Sequence, residues 1–361
     1  MTKPGRRSLK LMFEPSLEAG ERKQLRDGLS TVLQIGNTLW LGNDESASLE
    51  RLTLTGDSTA GHAQFQLRDF MGLPTPSDQE GTTPEVDVEG MDLADGYLWI
   101  VGSHSLKRSK VDSEDPAAAQ IKELARTETE ANRYVLARIP MQDGSGLPAL
   151  AAKSKSRPAQ RLRSGKDGNA LTRLLRKDKH LGPFLGLPGK ENGFDVEGLA
   201  VVGDRVFLGL RGPVLGGWAV VLEIRPVGEG KWLKLKPLEG SKGVRVRKHF
   251  LQLGGLGVRD LCLQGDDLLV LSGPTMSLDG PVREVRWSGA AHCQEACVLE
   301  AGALAHVLEV PYGKGCDHAE GIALFRSKGS AKAELLVVYD SPAPRRQVGG
   351  NGLVADLFEL G

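Results

Sequence analysis

Hydrophobic and polar positions recur in one phrase along this chain. Asp195-Val196-Glu197-Gly198-Leu199-Ala200-Val201-Val202 reads as a short strand, Gly203-Asp204 as a turn, and Arg205 to Arg211 as a second, more apolar strand. The same phrase stands earlier, from Asp87-Val88-Glu89-Gly90 through Asp95-Gly96 to Leu98-Trp99-Ile100-Val101. Two copies have drifted, one from Arg259 to Ser272 and one that opens Ala319-Glu320-Gly321-Ile322 and resumes at Leu335 to Asp340. A fifth, from Val32 to Asp44, lacks the acidic opening. Repeated strand–turn–strand units predict a radial all-β array, a β-propeller with five visible blades and room for a sixth in the weakly patterned 140–190 region.

The remaining patterns fit one propeller domain over residues 1–361. Leu9 to Phe13 and Leu353 to Leu360 read as strands from the two termini that share a blade and fasten the ring. Ser113 to Asn132 reads as a helical insertion: Ser113 serves as N-cap, acidic residues fill the first turn, and Ala, Gln, Lys and Glu follow. With its flanks it spans about residues 104–132 and interrupts the second unit. A second excursion, at about 150–190, carries ten Lys or Arg between residues 151 and 180 against Asp167 and Asp178. It reads either as a docking surface for a polyanion or as a solvated link between blades. No aromatic side chain is interleaved there for base stacking, which argues against nucleic acid.

Composition narrows the picture. The chain has 40% hydrophobic residues, 25% charged residues, 46 glycines and a formal net charge of zero. Such a balance gives no global pull toward nucleic acid or an anionic membrane, and no apolar run is long enough to span a bilayer. The basic N-terminus has no apolar run behind it, so it does not read as a secretory signal. Four cysteines make no disulfide framework, and a cytoplasmic protein with reduced thiols is the default expectation.

Candidate chemistry gathers at the strand ends. In a propeller the first strand of each blade lines the central channel, and alternation turns Asp87 with Glu89, and Asp195 with Glu197, the same way. With Glu320, and with Asp260 and Asp317 beside them, these acids predict a ring of oxygen ligands for a divalent cation, Ca²⁺ or Mg²⁺. The alternative is that each acid caps a strand locally. A second set closes the second strands: Asn43 and Asp44; Ser103, His104, Lys107 and Arg108; Arg211; Ser272; Asp340 and Ser341. If the sets meet, His104, Arg211 and Arg259 join the metal as groups for an anionic substrate. His104 reads equally well as an ordered loop residue. His292, Cys293, Cys297, Cys316 and His318 offer zinc-type ligands, but their spacing fits no common zinc module.

Several of these residues carry a resemblance. Gly102-Ser103-His104-Ser105 with Lys107 and Arg108, Asn132-Arg133-Tyr134, Asp195 to Ala200, Leu210-Arg211-Gly212-Pro213 and Val258-Arg259-Asp260-Leu261 resemble the bacterial "domain of unknown function 3616" family. The resemblance spans roughly residues 30–345 and implies a propeller-like fold without an assigned activity. Glu197 to Ala200 and Glu320 to Ala323 are also similar to the esterase-like phytase propellers, which implies phosphoester hydrolysis. Two functions are therefore expected: a metal-dependent hydrolase acting on a phosphate ester or other anionic small molecule, or a non-catalytic propeller that binds a ligand or a protein partner.

Overall fold

A computed structural model describes residues 5–17, 24–154 and 156–360. Antiparallel pairing groups the main strands into five successive units, some joined edge to edge by short parallel pairings. Their innermost strands are Leu29–Ile35, Val88–Ala94, Asp195–Val202, Gly257–Gln264 and His318–Phe325, and each packs on the next, the fifth returning to the first. These five blades make a closed β-propeller. No sixth blade occurs among the described residues. Within 140–190, Gln160–Leu162 pairs with Leu136–Gly144 as the outer strand of blade two.

Packing explains the strand composition. The core is five apolar clusters, one in each gap between adjacent blades. Along Tyr97–Gly102, Leu98 and Ile100 enter the gap with blade one, whereas Tyr97, Trp99 and Val101 enter the gap with blade three. Both faces of a blade are thus buried, so second strands read as near-continuous apolar runs rather than alternating ones. The Glu-Gly of the repeated phrase has a steric cause. A Cβ at Gly90 would stand 2.7 Å from the Leu199 nitrogen, and one at Gly198, whose φ is +121°, would stand 2.8 Å from the Leu261 nitrogen. Inner strands approach so closely around the channel that only glycine fits there.

The termini meet as expected. Arg6–Met12 pairs antiparallel with Gly352–Glu359 and completes blade five. Asp356, fully buried, anchors this closure by accepting from Tyr339 Oη at 2.6 Å, Arg346 Nη2 at 2.9 Å and Arg6 Nε at 2.9 Å.

Both excursions differ from their expected form. The helix is confined to Ala117–Leu124, with Pro116 rather than Ser113 at its N-cap. Beyond it the chain turns back, and Thr127–Glu128 pairs with Lys107–Arg108, so the insertion is a two-stranded ribbon tipped by two helical turns. In the basic segment, Asn169 caps a short helix, Ala170–Leu175, whose Leu171 and Leu175 join the core between blades two and three. Arg161 is buried, lies 4.9 Å from the Trp232 ring and donates to Gly72 O at 2.6 Å. That segment therefore contributes to packing, while Lys155 lies outside the described residues. Among the described residues, no helix is long and apolar enough to cross a membrane.

Candidate functional site

Antiparallel pairing brings the two candidate sets to one mouth of the channel. Val88 lies opposite Gly102, Asp195 opposite Gly212, Gly257 opposite Gly273 and His318 opposite Asp340. Each inner strand also carries a register shift near its start, at Leu29/Thr31, Val88/Gly90, Val196/Leu199, Val258/Asp260 and Ala319/Gly321. Ser30, Glu89, Glu197, Arg259 and Glu320 occupy equivalent positions at these bulges. Simple alternation did not reveal the bulges, which re-aim side chains at such positions.

The acids meet arginines. Arg133, from the single turn Ala131–Tyr134 after the insertion, pairs with Asp87 and donates to Ser103 Oγ at 2.8 Å and Ser105 Oγ at 2.9 Å. Arg211 pairs with Asp195 and with Glu197 Oε1 at 2.7 Å. Arg259 reaches Glu197 Oε2 at 3.0 Å on one side and Glu320 on the other, linking three blades. Glu89 is 7% exposed and has no ion pair or side-chain hydrogen bond among the described residues. Burial, followed by the negative charge of Asp87, Glu197 and Asp195, pushes its pKa well above the usual carboxylate range. Burial also raises Asp195 and Glu197, outweighing the pull of Arg211. For Arg211 burial acts the other way, yet Asp195 and Glu197 prevail and hold its proton more firmly than usual.

This arrangement does not fit the expected Ca²⁺ or Mg²⁺ ring. Among the described residues, no three carboxylates bring their oxygens within 4.8 Å of one another. The guanidinium groups of Arg133, Arg211 and Arg259 already supply positive charge to Asp87, Asp195, Glu197 and Glu320. An added ion would have to displace them.

Other expected members have local roles. His104 is buried, with Nδ1 2.7 Å from Gly102 O and Nε2 2.6 Å from the Asn169 amide nitrogen. Burial lowers its pKa to about 4, so it is a neutral ring with both nitrogens engaged and none left for a substrate. Asp260 turns to the next blade, accepting from the backbone of Leu261 at 2.7 Å and Ile322 at 2.9 Å. Asp317 is held by Arg345, Arg346 and the Ala343 nitrogen. Lys107 pairs with Glu85, and Arg108 with Glu191. His292 faces Asp266. His292, Cys316 and His318 do not assemble with Cys293 and Cys297; His249 does.

Beside the arginines lies a cavity of about 340 Å³. Arg211, Arg259 and Glu320 meet Lys190, His318, Asp340 and Asp279 there, under a rim of Met276, Leu278 and Tyr312. His318 Nε2 is 3.5 Å from Asp279 Oδ1 and Nδ1 is 4.0 Å from Asp340 Oδ2. Asp340 foremost, then Asp279, raise the His318 pKa against the effect of burial. The sequence pattern sets His318 among zinc ligands and gives no signal for Lys190 or the apolar rim; the one signal for Arg133 is its place in the Asn132-Arg133-Tyr134 motif shared with the family.

Five blades around a channel, with a charged mouth at one end, define the class: a β-propeller. The sequence matches "Protein of unknown function (DUF3616)" over residues 28–356, and the chain belongs to that family. No curated protein sequence matches it. Among solved structures it is similar to Myxococcus xanthus glutaminyl cyclase (10% identity, 98% of this chain and 96% of that one, TM-score 0.40). It is also similar to the β-propeller domain of Cps50 (Swd1) from Myceliophteria thermophila (9%, 93% and 98%, TM-score 0.36). A third likeness is the PQQ-bound aldose sugar dehydrogenase from Streptomyces coelicolor (15%, 99% and 100%, TM-score 0.36). Likenesses this remote say nothing of activity.

Proposed function

We propose that this propeller binds a small organic anion, such as a phosphate ester with an apolar substituent, in the cavity at the channel mouth. One observation carries the reading: cationic groups and an apolar rim share a single 340 Å³ space. Lys190 is exposed and has no partner among the described residues. Arg211 and Arg259 are fixed by their carboxylates and so preorganised, which lowers the ordering cost of binding. Met276, Leu278 and Tyr312, 46%, 59% and 48% exposed, offer apolar surface that a bound substituent would cover.

Calorimetric titration with an aryl phosphate tests this. Binding should weaken about tenfold in Lys190→Ala through loss of a charge-assisted bond, and also fall in Tyr312→Ala, with melting temperatures unchanged because both side chains lie at the surface. Binding that neither variant alters, or no binding of aryl phosphates at all, overturns the proposal.

Hydrolysis of such an ester is a second reading, favoured by His318 standing between two carboxylates. A histidine oriented this way suits proton transfer. That reading expects phosphate release that His318→Asn abolishes while binding persists.

A further inference from the structure

A second cluster lies on the outer side of the ring, between blades three and four. His249 belongs to the outer strand of blade three, Val246–Gln252. Cys293 and Cys297 belong to a loop of blade four that leaves Trp287, crosses to blade three and pairs Val298–Leu299 in parallel with Phe250 and Leu251. Nδ1 or Nε2 of His249 and the two Sγ atoms all lie within 4.8 Å of one another. None of the three takes part at the channel mouth.

His249 is oriented as a ligand would be. Its Nε2 is 3.0 Å from Glu223 Oε2, and Glu223 is itself held by Arg205 at 2.9 Å and Arg247 at 2.6 Å. A proton on Nε2 satisfies that carboxylate and leaves the Nδ1 lone pair directed at the cysteine loop, where it accepts from the Cys297 nitrogen at 3.2 Å. Carboxylate–histidine pairs of this kind fix the tautomer and raise ligand basicity in metal sites. Trp287, with its ring 4.9 Å from that of His249, and Phe207 at 5.9 Å wall the imidazole.

The cysteines are placed for two states. Their sulfurs are joined as a disulfide in the structure, against the expectation of reduced thiols throughout. Yet their Cα atoms are 7.7 Å apart, beyond the span of about 4.4–6.8 Å usual for a disulfide. A shared ion bridges a wider gap, because two metal–sulfur bonds of about 2.3 Å each replace one sulfur–sulfur bond.

We propose that Cys293, Cys297 and the Nδ1 of His249 form a thiol-gated site for a borderline-soft divalent ion of the zinc type, its fourth position open to water. In the oxidised form the sulfurs are bonded to each other and the site is closed. A small-molecule thiol of the glutathione class opens it. Two electrons and two protons cleave the S–S bond to two thiols, and two molecules of the reductant become one disulfide. The ion then binds both thiolates, releases their two protons to solvent and displaces the Cys297 N–H from Nδ1. Two thiolates and one imidazole suit zinc rather than calcium or magnesium.

Cobalt(II) titration of the full-length chain, before and after reduction, tests this. Reduced protein should take up one equivalent with a thiolate-to-cobalt charge-transfer band that zinc bleaches, whereas oxidised protein should show none. Cys293→Ser/Cys297→Ser should lose the band while melting normally. Cys262→Ser/Cys316→Ser, which removes the two free cysteines, should keep it. A reduced, folded wild type that binds no cobalt overturns the proposal, and so does a band that survives in Cys293→Ser/Cys297→Ser.

Discussion

Replacing Arg211 with Met asks how the acids at the mouth are neutralised. The substitution keeps most of the side-chain volume and removes the partner of Asp195 and of one Glu197 oxygen. The side chains of Asp195 and Glu197 are only 1% and 3% exposed, so water cannot take over. Breaking a buried pair in this way costs roughly 3–5 kcal/mol. Glu197 retains Arg259 at 3.0 Å, so most of the loss falls on Asp195. With an unfolding entropy of about 2.1 cal/mol/K per residue over the 361 residues, a loss of that size lowers the melting temperature by about 4–7 °C. Scanning calorimetry and guanidinium unfolding measure it. Arg211→Met/Asp195→Asn should recover most of the loss, since the orphaned charge goes with the arginine. A cost below about 1 kcal/mol would refute this reasoning. So would recovery of wild-type stability on adding Ca²⁺ or Mg²⁺, because the carboxylates would then prefer a metal.

In Cys293→Ser/Cys297→Ser, which lacks the outer thiolate site, chelator should leave the melting curve unchanged, and a fall on adding it would restore the Ca²⁺ or Mg²⁺ reading of the mouth. Glu89→Gln should be more stable than wild type at neutral pH. A raised folded pKa means stability present at low pH is lost as pH rises above the usual carboxylate range, and the amide removes that loss. His104 acts in the opposite sense: its folded pKa, lowered to about 4 from 6.5, makes stability fall as pH drops between those values. Its contribution is about 3 kcal/mol, and His104→Gln should flatten stability over that window in urea titrations at several pH values. Gly198→Ala should destabilise by more than about 1 kcal/mol in the same assay, because φ is +121° and the new Cβ meets the backbone of blade four.

The sequence by itself determined the architecture, because the propeller is a local device repeated. Each blade writes its own strand–turn–strand phrase, and Gly90 and Gly198 mark where neighbouring inner strands touch. The pairing of the termini was legible because a closed ring is fastened by strands from both ends in one blade, and Leu9–Phe13 and Leu353–Leu360 were the strand patterns at those ends. The mouth was half legible: the repeated Glu89, Glu197 and Glu320 announced that acids converge. Arg211 and Arg259 were legible as members of the site but as anion binders beside a metal; that they and Arg133 neutralise the acids was not, because the three come from a second strand, an inner strand and a turn that only ring closure brings together. His104, beside two serines, read as a substrate group or as an ordered loop residue, and the decision lies with Asn169, 65 residues away in sequence, which engages its Nε2. His249 reaches Cys293 and Cys297 in the same manner, across a gap between two blades. Local pattern fixes strands and turns; which charges neutralise one another depends on distances across the ring, and these exist only once five blades have closed.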